Sequence, residues 1–167
     1  MYEIIPPKSN KSAQYFSIVL LVSAFAAMFF SSAIQPSYRS IIQFVSLVML
    51  AFSILLMTRY VLSGYSYAIV KDDDEGYDLT VTELKRKSRI TVCRISLSGI
   101  ERVELVGADN KKAISSDSKK YKRFNYCVDL KPARYMCVFC EECGEKFAIN
   151  LSFDQKLFDI LSAAKDS

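Results

Sequence analysis

Two stretches of the chain leave little choice of environment. Residues 15–34 (YFSIVLLVSAFAAMFFSSAI) and 41–57 (IIQFVSLVMLAFSILLM) contain no charged side chain. Each approaches the ~20 residues of helix that cross a bilayer core. Both predict transmembrane helices, the first over about residues 15–34 and the second from 41 to about 60. The connection QPSYRS is short and Pro36 interrupts the helix there, so the pair is expected to form a tight antiparallel hairpin. Tyr15, Tyr38 and Tyr60 stand where an aromatic belt would place them. A cleaved signal peptide is the rival for the first run, with Lys8 and Lys11 as its basic region. The run is longer than the about 7–15 apolar residues of such segments.

Small residues recur within both runs. Ser17, Ala24 and Ser31 are spaced by seven, as are Ser46 and Ser53. Small residues on one stripe let two helices approach closely, which makes these rows the expected contact of the hairpin, although Ser and Ala are also simply common in membrane helices. Gln43 and the serines are the polar candidates inside the spans, a set too poor for a transporter or channel.

Charge sets the orientation. Lys8 and Lys11 precede the first span, Arg59 and Lys71 follow the second, and the connection carries Arg39. Both termini are therefore expected in the cytoplasm, at the cell membrane of a multi-pass protein. Five cysteines without a paired framework suit a reducing compartment as well. Of 22 basic and 18 acidic residues, the N-terminal part holds Lys8, Lys11, Arg39 and Arg59 against Glu3, which leaves eighteen against seventeen beyond it. That balance is too even for nucleic-acid binding. Histidine is absent, which removes the commonest general base, the Ser-His and Cys-His pairs and every His-containing metal site. With no Gly-rich phosphate loop or nucleophile motif either, an enzyme is not expected, nor a cofactor.

After Gly64 the pattern changes to alternation. YSYAIV, YDLTVTEL (residues 77–84), RITVCRISL (89–97) and IERVELV (100–106) read as strands separated by charged or Ser/Gly turns. GADNKKAISSDSKKYK has no apolar period and reads as a long mobile loop. Strands resume at RFNYCVDL (123–130), RYMCVFCE (134–141) and KFAINLSF (146–153). In DQKLFDILSAA, Leu157, Phe158, Ile160 and Leu161 form a helical stripe, and Ser152 with Gln155 fits a capping box. The expected organisation is residues 1–64 as tail and membrane hairpin, and 65–167 as a mainly-β domain of about seven strands and one terminal helix.

The run YSYAIVKDDDEGYDLTVTELKRKSRITVCRISLSGIERVEL, with its I-x-x-V strand at Ile100 to Val103, resembles the start of a bacterial pleckstrin-homology-like domain. The resemblance extends over residues 65–164. It implies a seven-stranded antiparallel sandwich or barrel capped by the C-terminal helix, behind a two-helix membrane hairpin, and it implies no enzymatic activity. In pleckstrin-homology domains generally, basic hairpin loops grip phosphorylated lipid head groups. Here that points to Lys85, Arg86, Lys87 and Arg89 in a hairpin turn, with Lys119, Lys120, Lys122 and Arg123 in the later loop. Clustered charges near a membrane attract anionic lipid by ~1 kcal/mol each, while a solvated hairpin tip is the plainer alternative.

The stretch CVFCEECGEKF holds Cys137, Cys140 and Cys143 at a spacing of three. A structural zinc site uses four converging ligands, usually from two knuckles. One knuckle is present; Cys93 and Cys127 are isolated, and the iron–sulfur run is incomplete. In a strand, Cys137 and Cys140 point to opposite faces and cannot share an ion, and Cys143 falls in a turn where Gly144 supplies positive φ. Packing thiols are expected. The functional expectation is a non-catalytic membrane protein whose cytoplasmic domain binds an unidentified protein or the membrane surface. A Cys-based metal or redox sensor is the alternative. Homo-oligomerisation through spans or sheet edges is left open.

Overall fold

A computed structural model describes residues 2–8, 11–33, 35–72, 76–85, 87–117, 120–142 and 144–165. The chain divides into two compact units, residues 10–63 and residues 1–9 together with 64–167. The tail expected with the membrane hairpin thus belongs to the β domain.

In the first unit, α1 (Ser12–Phe30) runs on through a 3₁₀ turn to Ala33, and α2 (Pro36–Leu56) through a π turn to Leu62. Pro36 opens α2, where its missing N–H costs no helical hydrogen bond. Both helices are long and apolar enough to span a membrane. Each begins before the uncharged run from which it was expected. Ser17, Ala24 and Ser31 of one helix segment and Ser46 and Ser53 of the other are buried. The Ser53 hydroxyl donates to the Ser17 carbonyl at 2.7 Å, so backbone and small side chain meet directly. The opposite faces expose Phe16, Val19, Val22, Phe29, Phe44 and Leu55. An apolar surface of that extent is unfavourable in water and favourable in lipid.

The second unit packs two four-stranded sheets on one core. Sheet one is ordered β1 (Tyr2–Ile4), β2 (Gly64–Lys71), β3 (Tyr77–Lys85), β4 (Ser88–Ser96), all antiparallel. Between β3 and β4 the register moves from Val81↔Cys93 to Thr82↔Thr91, so Val92 is the extra residue of a β-bulge. Sheet two contains β5 (Ile100–Val106), β6 (Lys122–Asn125), β7 (Tyr135–Glu142) and β8 (Glu145–Ser152), in the order β5-β7-β8-β6. Gly144 at the β7–β8 turn has φ of 78°, as expected there. Gly99 is needed for space, because a Cβ would stand 2.9 Å from the Glu141 carbonyl.

Tyr67, Leu79, Val81, Val138, Leu151 and the α4 (Gln155–Lys165) residues Leu157 and Leu161 fill the core. The Tyr67 hydroxyl donates to the Tyr126 carbonyl and accepts from the Ser152 N–H, at 2.8 and 3.0 Å. It satisfies two buried backbone groups at once.

Four expectations change. An eighth strand, β1, is present among the described residues; Tyr2 and Ile4 pack against the core while Glu3 accepts from Ser66. Residues 107–122 are not all loop. Asn110 accepts from the Gly107 N–H and donates to the Leu105 carbonyl, and the short helix α3 (Lys111–Asp117) follows, burying Ile114. The strand expected over residues 123–130 stops at Asn125, and β6 pairs parallel with β8 rather than antiparallel. The Ser152–Gln155 capping box is not formed, because Ser152 accepts from the Val128 N–H. Asp154 is the N-cap: its Oδ1 accepts from the Leu157 N–H at 2.9 Å and from the Tyr2 hydroxyl at 2.8 Å.

One carboxylate thus holds both the terminal helix and the N-terminal strand. Asp154→Ala is expected to destabilise the domain by about 1–3 kcal/mol, from a lost cap and a lost tie. Asp154→Asn, which keeps an accepting oxygen, should lose less; thermal denaturation followed by circular dichroism of the solubilised chain checks the order.

Candidate functional site

The described residues of the expected basic site, Lys85, Lys87 and Arg89, lie around the β3–β4 turn. Lys85 pairs with Glu83 at 3.1 Å, Arg89 lies 3.8 Å from Glu3, and Lys87 is exposed at the β3–β4 turn. Arg86 lies outside the described residues, as does Lys119. The other basic group is on the second sheet: Lys122 pairs with Glu145 at 2.6 Å, and Arg123 follows it on β6. Sheet register puts the β3–β4 turn at one end of sheet one, where Gly64 pairs with Leu84 and Lys85 with Ser88.

The thiols are separated as the alternation of β7 requires. Cys140 packs in the main core with Val138 and Ile149. Cys137 faces the other side, against Val106, Ile114, Phe139 and Ala148. Cys143 lies outside the described residues. Among the described residues, no group of His, Cys, Asp and Glu is arranged to hold a metal ion. Burial pushes the thiols up, Cys93 and Cys137 to about 11 and Cys127 and Cys140 to about 12. Nearby Glu142 adds to the rise at Cys93 and Cys140. The thiolate that metal binding and redox exchange require is thereby disfavoured.

A groove forms instead where the sheets leave edges open. β4 ends sheet one and β6 ends sheet two. Between them lies a cavity of about 290 Å³, lined by Val92, Cys93, Arg94 and Ile95 of β4, by Phe124 and Tyr126, by Glu142, and by Phe147 and Ile149 of β8. Its wall is aromatic. Phe124 and Tyr126 stack with planes 3° apart at 6.3 Å, and Phe124 meets Phe147 at 6.0 Å. The Tyr126 hydroxyl reaches the Val92 carbonyl at 3.5 Å. Val92 and Phe124 are 37% and 41% exposed, so the groove offers apolar surface to whatever enters it. Val92 is the extra residue of the bulge and has no residue opposite it on β3.

Charge in the groove is uneven. Arg94 donates through Nε to Asp78 and through a terminal nitrogen to Asp72, at 2.5 and 2.6 Å. Its guanidinium is therefore already held by two carboxylates. Glu142 is exposed and pairs with no cation among the described residues.

The sequence contains weak signals of this site. RITVCRISL has one residue too many for strict alternation, and RFNY places an aromatic in a short strand that stays exposed. Neither shows that the two segments meet, since they lie about 30 residues apart in sequence and on different sheets.

Raising Cys93 from 9.0 to about 11 leaves about 100-fold less thiolate at neutral pH. Alkylation of Cys93 in the native chain at pH 7.5 should therefore be about 100-fold slower than in the unfolded chain, and should accelerate as the pH is raised toward 10. Timed alkylation with and without denaturant, read at the Cys93 peptide by mass spectrometry, measures both. Compared with protein-family models, with curated proteins and with solved structures, the chain matched none of the three.

Proposed function

We propose that the chain is a non-catalytic integral membrane protein whose pleckstrin-homology-like domain, on the cytoplasmic side, is a binding module that receives a protein segment in the β4–β6 groove. The observation that carries the reading is the groove itself: two sheet edges, free among the described residues, flanking an exposed aromatic wall. Free edges present unpaired backbone groups that an extended chain satisfies, and the apolar wall rewards its side chains. Two sheets on one core, with Leu157 and Leu161 of the terminal helix inside it, support the fold assignment. The high thiol values weigh against the sensor alternative.

The pairing of β1 with β2 supports a hairpin topology. Residues before the first helix and after the second are neighbours in one sheet, so they share a compartment, and two spanning helices between them cross in opposite directions. Lys8, Lys11, Arg59 and Lys71 against Arg39 favour the cytoplasm as that compartment.

The membrane surface is the second reading, and one observation favours it. Lys85, Lys87 and Arg89 gather at the single β3–β4 turn, where Lys85 pairs with Ser88. A cluster of that kind attracts anionic head groups.

Photo-crosslinking side chains at Val92, Phe124 and Lys87 in the full chain, with exposed Tyr77 as control, separate the two. Protein adducts at Val92 and Phe124 and none at Tyr77 are expected. Adducts to lipid at Lys87 with none in the groove would transfer the function to the turn. Epitope tags at the two termini should both survive external protease in intact cells and both be cut after lysis; loss of a single tag would overturn the hairpin topology.

A further inference from the structure

We infer that the β4–β6 groove recognises an extended peptide segment carrying a Lys or Arg side chain, which lies over Phe124 and Tyr126 with its charge at Glu142. The inference rests on the groove as the binding site and names what it selects.

Three observations converge on a cation. The first is charge: Arg94 is held by Asp72 and Asp78, and Glu142 lines the same groove, so the carboxylates outnumber the guanidinium among the described residues. The remaining carboxylate, at the groove mouth, has no cation among the described residues. The second is the wall: rings at Phe124, Tyr126 and Phe147 present π faces and edges within the same cavity. A Lys or Arg side chain suits such a wall because its methylene stem covers apolar surface while its head group stays polar. The third is size. About 290 Å³ is at the lower limit of the ~300–1,000 Å³ of small-molecule pockets, and it suits a side chain or two.

The backbone of that peptide also has a place. β4 pairs with β3 on one side and its other edge faces the groove. An added strand would extend sheet one, and successive side chains would alternate between the groove and solvent. Anionic segments are disfavoured by the same carboxylates, so the selection works by repulsion as well as attraction.

The test uses the full chain in detergent or nanodiscs and fluorescent peptides of about ten residues, alternating Val and Thr, with a central Lys, norleucine or Glu. The Lys peptide is expected to bind about tenfold tighter than the norleucine peptide, and the Glu peptide weakest. Glu142→Gln should abolish the Lys preference, and Glu142→Lys should reverse it toward the Glu peptide. Phe124→Ala should weaken both the Lys and norleucine peptides, and N-methylation of alternate peptide amides should block binding. Unchanged circular dichroism and melting temperature show that each variant is folded. Equal affinity for the Lys and norleucine peptides, or a Lys preference that survives Glu142→Gln, overturns the inference. The groove still stands in that case if Phe124→Ala or N-methylation weakens binding. Failure of every peptide to bind overturns the inference, while photo-adducts at Val92 and Phe124 judge the groove independently. A dimer of the chain that Phe124→Ala dissolves also overturns it, because the edge is then occupied by a second copy.

Discussion

β7 is buried on both faces, and the domain is organised around that fact. Met136, Val138 and Cys140 point into the core shared with sheet one and α4, while Cys137 and Phe139 point into a smaller cluster with Val106, Ile114 and Ala148. A strand covered on both sides needs an element on each, so sheet one with the terminal helix lies on one face and the α3 segment on the other. The same alternation decides the chemistry of the thiols. Residues three apart on such a strand occupy different cores, and each sulfur is protonated by burial.

What β7 gains in the interior, the ends of the sheets lose. β5 and β8 flank β7, and the shorter β6 closes the sheet beyond β8 with an outer edge unpaired; β4 ends the other sheet in the same way. Edge strands are commonly protected by charges, bulges or brevity. Here Arg94, the Val92 bulge and the four residues of β6 are such devices, and they leave room rather than a seal between the strands. Covered strand and open edge thus explain both why burial raises Cys137 and Cys140 above the usual thiol range and where a partner can enter.

The N-terminal strand adds a constraint of another kind. Its hydrogen bonds reach β2 through the sheet, Ser66 through Glu3, and the cap of α4 through Tyr2. Burial of Lys8 lowers its tendency to hold a proton, and the charge of Asp129 opposes that. A segment that precedes the apolar helices is therefore part of the domain that follows them, which ties the hairpin's two ends to adjacent strands of one sheet.

Much of this was legible in the residues. The uncharged runs specified two apolar helices, the buried small-residue rows specified their contact, and alternation in RYMCVFCE placed Cys137 and Cys140 apart, because each of these depends on local periodicity alone. Periodicity could not reveal that YEI is a strand, since three residues make a strand only when a partner edge is waiting. Nor could it tell that β6 runs parallel, that Asp154 rather than Ser152 caps the last helix, or that Val92, Phe124 and Glu142 share a cavity. Those facts depend on which segments become neighbours, and register across two sheets is set by the whole core. The sequence by itself determined the two long apolar helices, the β character of the rest and the separation of Cys137 from Cys140; only the tertiary structure decided which edges remained open, because an edge is free or covered according to where the other strands have gone.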